Sequence, residues 1–262
     1  MKTVPDLIVE KCVPVTRRPK LVTYLNPYSY VIARHHLPLF SRFDEIRIDG
    51  IALVFFLRLF GIVNVRRRSF DMSSDAPALF DGMVSEGKTV YFIGSKAEDI
   101  EKAVEKIKEA FPGLSVAGSR HGYFTDGEER RRMIDALVAL DPDCVVCGMG
   151  TPKQEAFLLD LRAAGWRGDG YTCGGFLHQS AQRLQYYPRW MDRLHLRWLY
   201  RIYKEPGMLG RYAWEYPKFV LLYVRDVLRR KNAAGGPSRN DSPDDNRHSM
   251  IKYTKPTKKG EK

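Results

Sequence analysis

Along the chain, short apolar runs alternate with segments whose apolar residues recur every three or four positions. "KLVTYLNP" and "DEIRID" look like strand ends that lead into helices, and "KTVYFIG" (88–94) has the pattern of a short buried strand. In "SKAEDIEKAVEKIKEAF", Ile100, Ala103, Val104, Ile107 and Phe111 share one face, which predicts an amphipathic helix stopped by Pro112 and Gly113. "LSVAG" follows as a strand, and 128–140 as a helix with Met133, Leu137 and Leu140 inward. "DCVVCG" reads as a strand, 152–164 as a helix and "GYTCGG" as a strand. Strand–helix alternation with short connections implies right-handed βαβ units and a parallel sheet covered on both faces. The expected fold is α/β, a Rossmann-like parallel-sheet core over residues 1–180 with a C-terminal helical appendage.

That appendage is predicted because the pattern changes near residue 180. Strand signals disappear, aromatic residues interleave with arginines, and the segment to about 231 reads as helices broken at Pro206 and Pro217. Residues 232–262 hold little to bury and are expected to form a disordered basic tail.

With 44% hydrophobic residues, the 262-residue chain can bury a substantial core. The net charge of +12 is unevenly placed. Residues 1–180 carry 24 Lys/Arg against 23 Asp/Glu, whereas 181–262 carry 19 against 8. The excess points to a polyanionic partner at the C-terminal third: nucleic acid, an anionic membrane surface or a phosphorylated substrate. Cys12, Cys144, Cys147 and Cys173 are too few for a disulfide framework. Cys144 and Cys147 are three apart on a strand and face opposite ways, so buried structural thiols are expected. "MKTVPDLIVEK" lacks an apolar leader pattern, and no run approaches the ~20 apolar residues of a membrane span. A reducing cytoplasm is the expected compartment.

In a parallel sheet, ligands collect at the carboxyl ends of the strands. "CGMGTPKQEAFL" (147–158) stands at such a place. Gly148 and Gly150 allow close approach of backbone, Thr151 suits an N-cap, Pro152 the first helical position, and Gln154 falls three residues after the cap. A capping box is one reading. An anion site at the helix N-terminus is the other, favoured by Lys153, which opposes the helix dipole. Gly94 with Ser95 and Gly174 with Gly175 mark two further strand-to-helix turns, and neither completes a GxGxxG fingerprint. Tyr123 and Phe124 are either a core pair or a surface on which a base stacks. Asp49 ends a strand before Gly50 and a strongly apolar helix, as an N-cap or as a general base at the sheet's carboxyl edge. Asn26 ends a neighbouring strand in the same way, so the two polar groups should converge. Arg66, Arg67 and Arg68 follow the apolar helix near the same edge.

The segments "LNPYSYV", "RIDGIALVFFLRLFG", "VYFIGSKAEDIEKA", "HGYF", "VVCGMGTPKQEAFL", "CGGF" and "RWLYRIYKEPGMLGRY" come in an order and spacing that resemble the WecG/TagA/CpsF family of bacterial glycosyltransferases over roughly residues 21–225. The resemblance implies a core that binds a nucleotide-diphosphate sugar, usually UDP-linked. It implies sugar transfer to a hydroxyl of a lipid-diphosphate-linked saccharide, with inversion and without a required metal or other cofactor, in cell-surface or exopolysaccharide synthesis. On that resemblance Asp49 is the general base, Gln154 contacts substrate and Tyr123 lies against the base of the nucleotide. Arg201 and Arg211 reach over the diphosphate, and Arg67 is the functional arginine after the apolar helix, with Arg66 and Arg68 as alternatives. The expected binding set comprises Asn26, Arg67, Gly94, Tyr123, Gly148, Gly150, Lys153, Gln154, Glu155, Gly174, Arg201 and Arg211.

The sequence departs from the family pattern where Tyr24 stands beside Thr23, where His178 replaces the usual aspartate, and at "YYPRW", with Arg183 or Arg189 in the basic role. The lipid-linked acceptor implies a cytoplasmic protein held peripherally on the inner face of the membrane, with Trp214, Phe219, Leu222 and Tyr223 suited to an anionic lipid surface or, equally, to a core-packing helix. Homo-oligomerisation is left open, and nucleic acid is not expected as a partner. Two rival classes rest on the residues alone. One is a nucleotide-dependent oxidoreductase, weakened by the missing fingerprint. The other is a basic nucleic-acid-binding protein, for which no recognition motif appears.

Overall fold

The computed structural model describes residues 2–234 apart from Arg17, Tyr187, Arg189, Asp192, Arg193, His195, Glu205 and Pro206. The expected break at Pro206, the Arg189 alternative and most of the tail (235–262) lie outside the described residues.

Six strands form one parallel sheet: β1 (Leu21–Leu25), β2 (Glu45–Ile48), β3 (Thr89–Gly94), β4 (Ser115–Arg120), β5 (Cys144–Gly148) and β6 (Asp169–Thr172), in the order β2-β1-β6-β5-β3-β4. The helices between and around them are α1 (Val4–Lys11), α2 (Pro27–His35), α3 (Leu37–Phe40), α4 (Ile51–Leu59), α5 (Asp75–Glu86), α6 (Ala97–Ala110), α7 (Gly127–Leu140), α8 (Lys153–Ala163) and α9 (Phe176–Gln182). The α/β, Rossmann-like architecture expected from the alternation is the one present. The central strands read as continuous apolar runs because both faces are covered. On β5, Cys144 and Val146 enter the core under α5, α6 and α9, whereas Val145 and Cys147 enter the core under α7 and α8. The two thiols thus lie on opposite faces, both reduced and buried, and that burial pushes their pKa values well up.

Helix boundaries depart from expectation by a residue or so, with one change of face. On α7 the buried residues are Ile134 and Leu137, while Leu140, expected inward, is 49% exposed at the last turn.

The larger corrections concern the C-terminal segment. It forms α10 (Arg197–Lys204) and α11 (Met208–Ala234), and α11 runs unbroken through Pro217 and past Asn232. Proline there removes a hydrogen bond to the carbonyl of Ala213, but both residues are exposed, so water can serve that carbonyl. Phe219 and Tyr223, read as membrane-facing or core-facing, are core. Both are 0% exposed, and together with Tyr30 of α2 and Phe56 of α4 they form an aromatic cluster, with Leu222 packed at its edge. The very apolar α4 needs cover on more than one side, and α11 supplies it. Asp226 then fastens α11 to α2 by accepting from Arg34 Nε at 2.7 Å, Arg34 Nη2 at 3.0 Å and Tyr30 Oη at 2.8 Å. The second half of α11 therefore shares one core with the N-terminal helices.

Candidate active site

The strands bring their carboxyl ends together in register. Leu25 pairs with Ile48, and the Asp49 N–H continues the ladder to the Leu25 carbonyl at 2.7 Å, so Asn26 and Asp49 emerge side by side. Cys147 pairs with Thr172, so the turns after β5 and β6 emerge together as well. β1 leads through α2 outward to β2, and β6 leads into α9, which packs on α6 on the other side. The chain parts in two directions between β1 and β6, and a crevice opens at such a point.

A cavity of about 750 Å³ fills that crevice, within the range of small-molecule sites. Of the expected residues, Asn26, Asp49, Arg67, Gly150, Gln154, Gly174 and Arg201 line it. A smaller cavity of about 360 Å³ lies at the opposite, amino end of the sheet.

Asp49 does not cap the helix that follows. Gly50 holds the cap position of α4, with no side-chain cap. The Asp49 carboxyl instead opens into the cavity, 37% exposed, 3.6 Å from Arg67 Nη1. Desolvation by the surrounding protein pushes its pKa up; Arg67 opposes this, Asp71 adds to it, and Arg197 and Arg201 oppose it. Of the three clustered arginines, Arg67 therefore reaches the cavity. Arg68 turns to Asp75 at 2.9 Å and Glu45 at 3.7 Å, and Arg66 is exposed. Asn26 caps α2 by accepting from the Ser29 N–H at 2.9 Å.

The turn after β5 differs from the expected capping box. Helix α8 starts at Lys153, one residue later than expected, and Thr151 makes no cap hydrogen bond. Its hydroxyl donates to Glu155 Oε1 at 3.2 Å. Gln154 braces two turns: Nε2 donates to Glu155 Oε1 at 3.0 Å and Thr151 Oγ1 at 3.3 Å, while Oε1 accepts from the Gly174 N–H at 3.3 Å. Glu155 is 0% exposed beneath the cavity, so it supports the floor without reaching a ligand. Thr23 Oγ1 also donates to its Oε1, at 3.0 Å, while Oε2 has no hydrogen-bond partner, and desolvation pushes its pKa up. Lys153 is exposed and does not line the cavity, so the charge expected to mark an anion site points to solvent.

Gly94, Gly148 and Tyr123 stand outside the cavity wall, along the β3, β4 and β5 end of the same edge. Gly94 has φ 146°, and a Cβ there would come within 2.4 Å of the Gly148 carbonyl oxygen, so only glycine lets these two turns touch. Tyr123 is 64% exposed on the loop after β4. His178 Nδ1 lies 2.8 Å from Asp99 Oδ2, linking α9 to α6. Arg211 lies in the first turn of α11, its side chain outside the described residues.

The structure adds residues that sequence reasoning missed. Asp71 lines the cavity and is engaged by Arg197 and by Ser69 Oγ at 2.6 Å, with the Ser73 N–H at 2.8 Å on its other oxygen. Burial acts to raise its pKa, but Arg197 and the two serines outweigh it and hold the carboxyl below its ordinary value. Arg197 is thereby seated, and α10 lies across the crevice carrying Trp198 and Arg201. Arg201 Nη2 stands 4.0 Å from where a Cβ on Gly175 would be. An acid among hydroxyls just after an arginine cluster was the available signal for Asp71. Trp198, Tyr212 and Tyr216 complete the lining. Among the described residues, no cluster of three or more His, Cys, Asp or Glu could hold a metal ion.

This arrangement, a raised carboxyl facing arginines and backbone turns, suits deprotonation of a hydroxyl beside an anionic leaving group. The chain matches the Glycosyl transferase WecG/TagA/CpsF family over residues 1–233, and it belongs to that family. It is 37% identical over 213 residues to the UDP-Gal:alpha-D-GlcNAc-diphosphoundecaprenol beta-1,4-galactosyltransferase of Shigella boydii, covering 80% of this chain and 88% of that protein. It is 29% identical over 198 residues to the N-acetylglucosaminyldiphosphoundecaprenol N-acetyl-beta-D-mannosaminyltransferase of Bacillus spizizenii, covering 75% and 73%. The Bacillus subtilis protein of the same name is 25% identical over 224 residues, covering 84% and 85%. Family membership supports the glycosyltransferase reading, and neither the oxidoreductase nor the nucleic-acid reading gains from it.

Proposed function

We propose that this family member transfers a sugar, with inversion, from a nucleoside-diphosphate donor of the UDP type to a hydroxyl of a saccharide on a polyprenyl diphosphate, with N-acetylglucosamine-diphosphoundecaprenol as the first acceptor to try. The observation that carries the reading is Asp49, its carboxyl open to a cavity that Arg67 lines 3.6 Å away and that Arg201 lines beside the β6 turn. A carboxyl with a raised pKa is a stronger base once ionised. Asp49 takes the proton as the acceptor oxygen attacks the anomeric carbon, and the nucleoside diphosphate departs from the other face. One displacement inverts the centre, in keeping with the β linkages in the relatives' names. Arg201, Arg67 and the first turn of α8 offset the charge on the leaving diphosphate, and the reaction is proposed to need no metal.

The lipid-linked acceptor brings the protein to a membrane surface. No helix among the described residues is long and apolar enough to cross a membrane. Trp214, Leu221 and Leu228 recur every seven residues on the outer face of α11 and are 79%, 72% and 55% exposed, beside exposed Lys218, Arg225 and Arg229. An apolar ridge flanked by cations suits an anionic lipid interface, and we place peripheral attachment there.

The test is transfer by purified full-length protein from a panel of UDP-sugars to the N-acetylglucosamine lipid. Product should form with at least one donor, and Asp49→Asn should lower kcat by at least ~100-fold while UDP still protects against thermal unfolding. Failure with every nucleotide sugar, or full turnover by Asp49→Asn, would overturn the reading. Pelleting with phosphatidylglycerol vesicles, reduced in a Trp214→Ala, Leu221→Ser variant, checks the attachment surface.

A further inference from the structure

The cavity has two unlike walls. One is formed by the turns after β5 and β6, with Gly150, Thr151, Gly174 and Gly175, and Arg201 stands between the two, near Gly175 yet close enough for its charge to act on Asp49 and Tyr216. The other holds Asp49 and three aromatic rings from the C-terminal helices. Tyr212 and Tyr216 have ring centroids 4.8 Å apart at 48°, and Trp198 stands 6.4 Å from Tyr212 at 56°, so the rings make a continuous arc. Tyr216 lies close enough to Asp49 to feel its charge: burial is the main cause that pushes its phenol pKa up, followed by Tyr212, and Asp49 adds to them.

The arc is not part of the core. Tyr212, Tyr216, Phe219 and Tyr223 form one stripe of α11 at spacings of four, three and four. Phe219 and Tyr223 are wholly buried against α2 and α4, whereas Tyr212 and Tyr216 are half-buried and face the cavity. Trp198 is 43% exposed. Rings with a polar handle that line a cavity and pack against one another are placed to offer apolar faces to a ligand there.

A sugar ring matches such a wall. Its C–H face is apolar while its edge carries hydroxyls, so aromatic faces can cover the one while a carboxylate meets the other. The diphosphate belongs over the glycine turns, within reach of Arg201 between the walls, which leaves the aromatic arc beside Asp49 for the attacking sugar. We propose that Trp198, Tyr212 and Tyr216 form the subsite for the acceptor saccharide, stacking on its C–H face and presenting its hydroxyl to Asp49. This rests on the glycosyltransferase reading above.

The experiment uses full-length protein and steady-state transfer with donor and acceptor varied separately. Trp198→Ala and Tyr216→Ala should each raise the acceptor KM about 10-fold, leaving donor KM and thermal protection by UDP unchanged. Tyr216→Phe, which keeps the ring, should stay within about twofold of wild type. Should Tyr216→Ala fail to fold, Tyr216→Leu fills the space without a ring face and carries the same test. Unchanged acceptor KM in the ring-deleting variants, or a loss falling on donor KM and UDP protection instead, would overturn the subsite. The functional reading would survive either result, since it fails only if the wild-type protein itself transfers no sugar.

Discussion

Replacing Asp226 by alanine should show how firmly the C-terminal helix belongs to the core. The carboxylate is 3% exposed and takes three hydrogen bonds, two from Arg34 and one from Tyr30, so α2 and α11 meet through it. Alanine would leave the Arg34 cation, 15% exposed, facing an empty site, and the fully buried Tyr30 hydroxyl without its acceptor. Breaking one partner of a buried pair costs about 3–5 kcal/mol. Arg34 retains some access to water, which places the expected loss near 3 kcal/mol. For a protein of this size that corresponds to a fall in Tm of about 6–12 °C.

Urea denaturation at 25 °C, followed by circular dichroism and by tryptophan fluorescence, measures the loss. The triple substitution Tyr30→Phe, Arg34→Met, Asp226→Leu should recover most of it, because a well-packed apolar group avoids the cost of desolvating two charges and leaves no buried hydroxyl unpaired. A loss below about 1 kcal/mol for Asp226→Ala would refute the reasoning, since it would mean that the pair is effectively solvated. Hydrogen exchange adds a local measure. Amides of α11 should lose protection before those of the central strands if Asp226 holds the helix and not the sheet.

Removing the charge of Asp71 should move the pH dependence of catalysis. Its negative charge favours protonated Asp49, so Asp71→Asn should lower the Asp49 pKa and shift the acid limb of the kcat/KM profile to lower pH, whereas an unmoved limb would deny the coupling. Glu155 has a folded-state pKa above its unfolded one, so its contribution to stability is fully present below the unfolded pKa and is lost as pH rises through the folded value. The Tm of Glu155→Gln relative to wild type should therefore rise between pH 4 and pH 8; a constant difference would show that the carboxyl is not the source. Gly94→Ala should cost about 3 kcal/mol and weaken UDP protection, because its methyl group would meet the Gly148 carbonyl at a backbone angle that side chains avoid. Wild-type stability and UDP protection would refute that contact.

The strands were legible in the sequence because burial on both faces writes continuous apolar runs, and Asp49 and Asn26 because each ends such a run. Their order was not, since pairing β1 with β6 joins residues about 150 positions apart and leaves no local mark. The capping box at Thr151 was well formed as a pattern, yet Glu155 and Gln154 draw its hydroxyl inward. That competition depends on Thr23, which is distant in sequence. The stripe on α11 was visible as aromatic spacing, but the same spacing serves a membrane surface or a core. Only the position of α2 and α4 beneath Phe219 and Tyr223 decides between them.

That division also explains the uneven charge. A basic segment read in isolation points to one polyanion, whereas the folded segment spends its cations in three places. Arg230 binds Asp6 of α1 at 2.8 Å and Arg197 binds Asp71, so both hold the appendage down. Arg201 stands over the glycine turns, where a diphosphate would sit. Lys218, Arg225 and Arg229 are exposed on the outer helix beside Trp214 and Leu221. The three groups answer to different perturbations: loss of the first lowers stability, loss of the second lowers turnover, and loss of the third weakens attachment in a way that added salt mimics. Stability, turnover and vesicle binding, measured on one variant from each group, would separate along these lines if the appendage is clamp, lid and anchor at once.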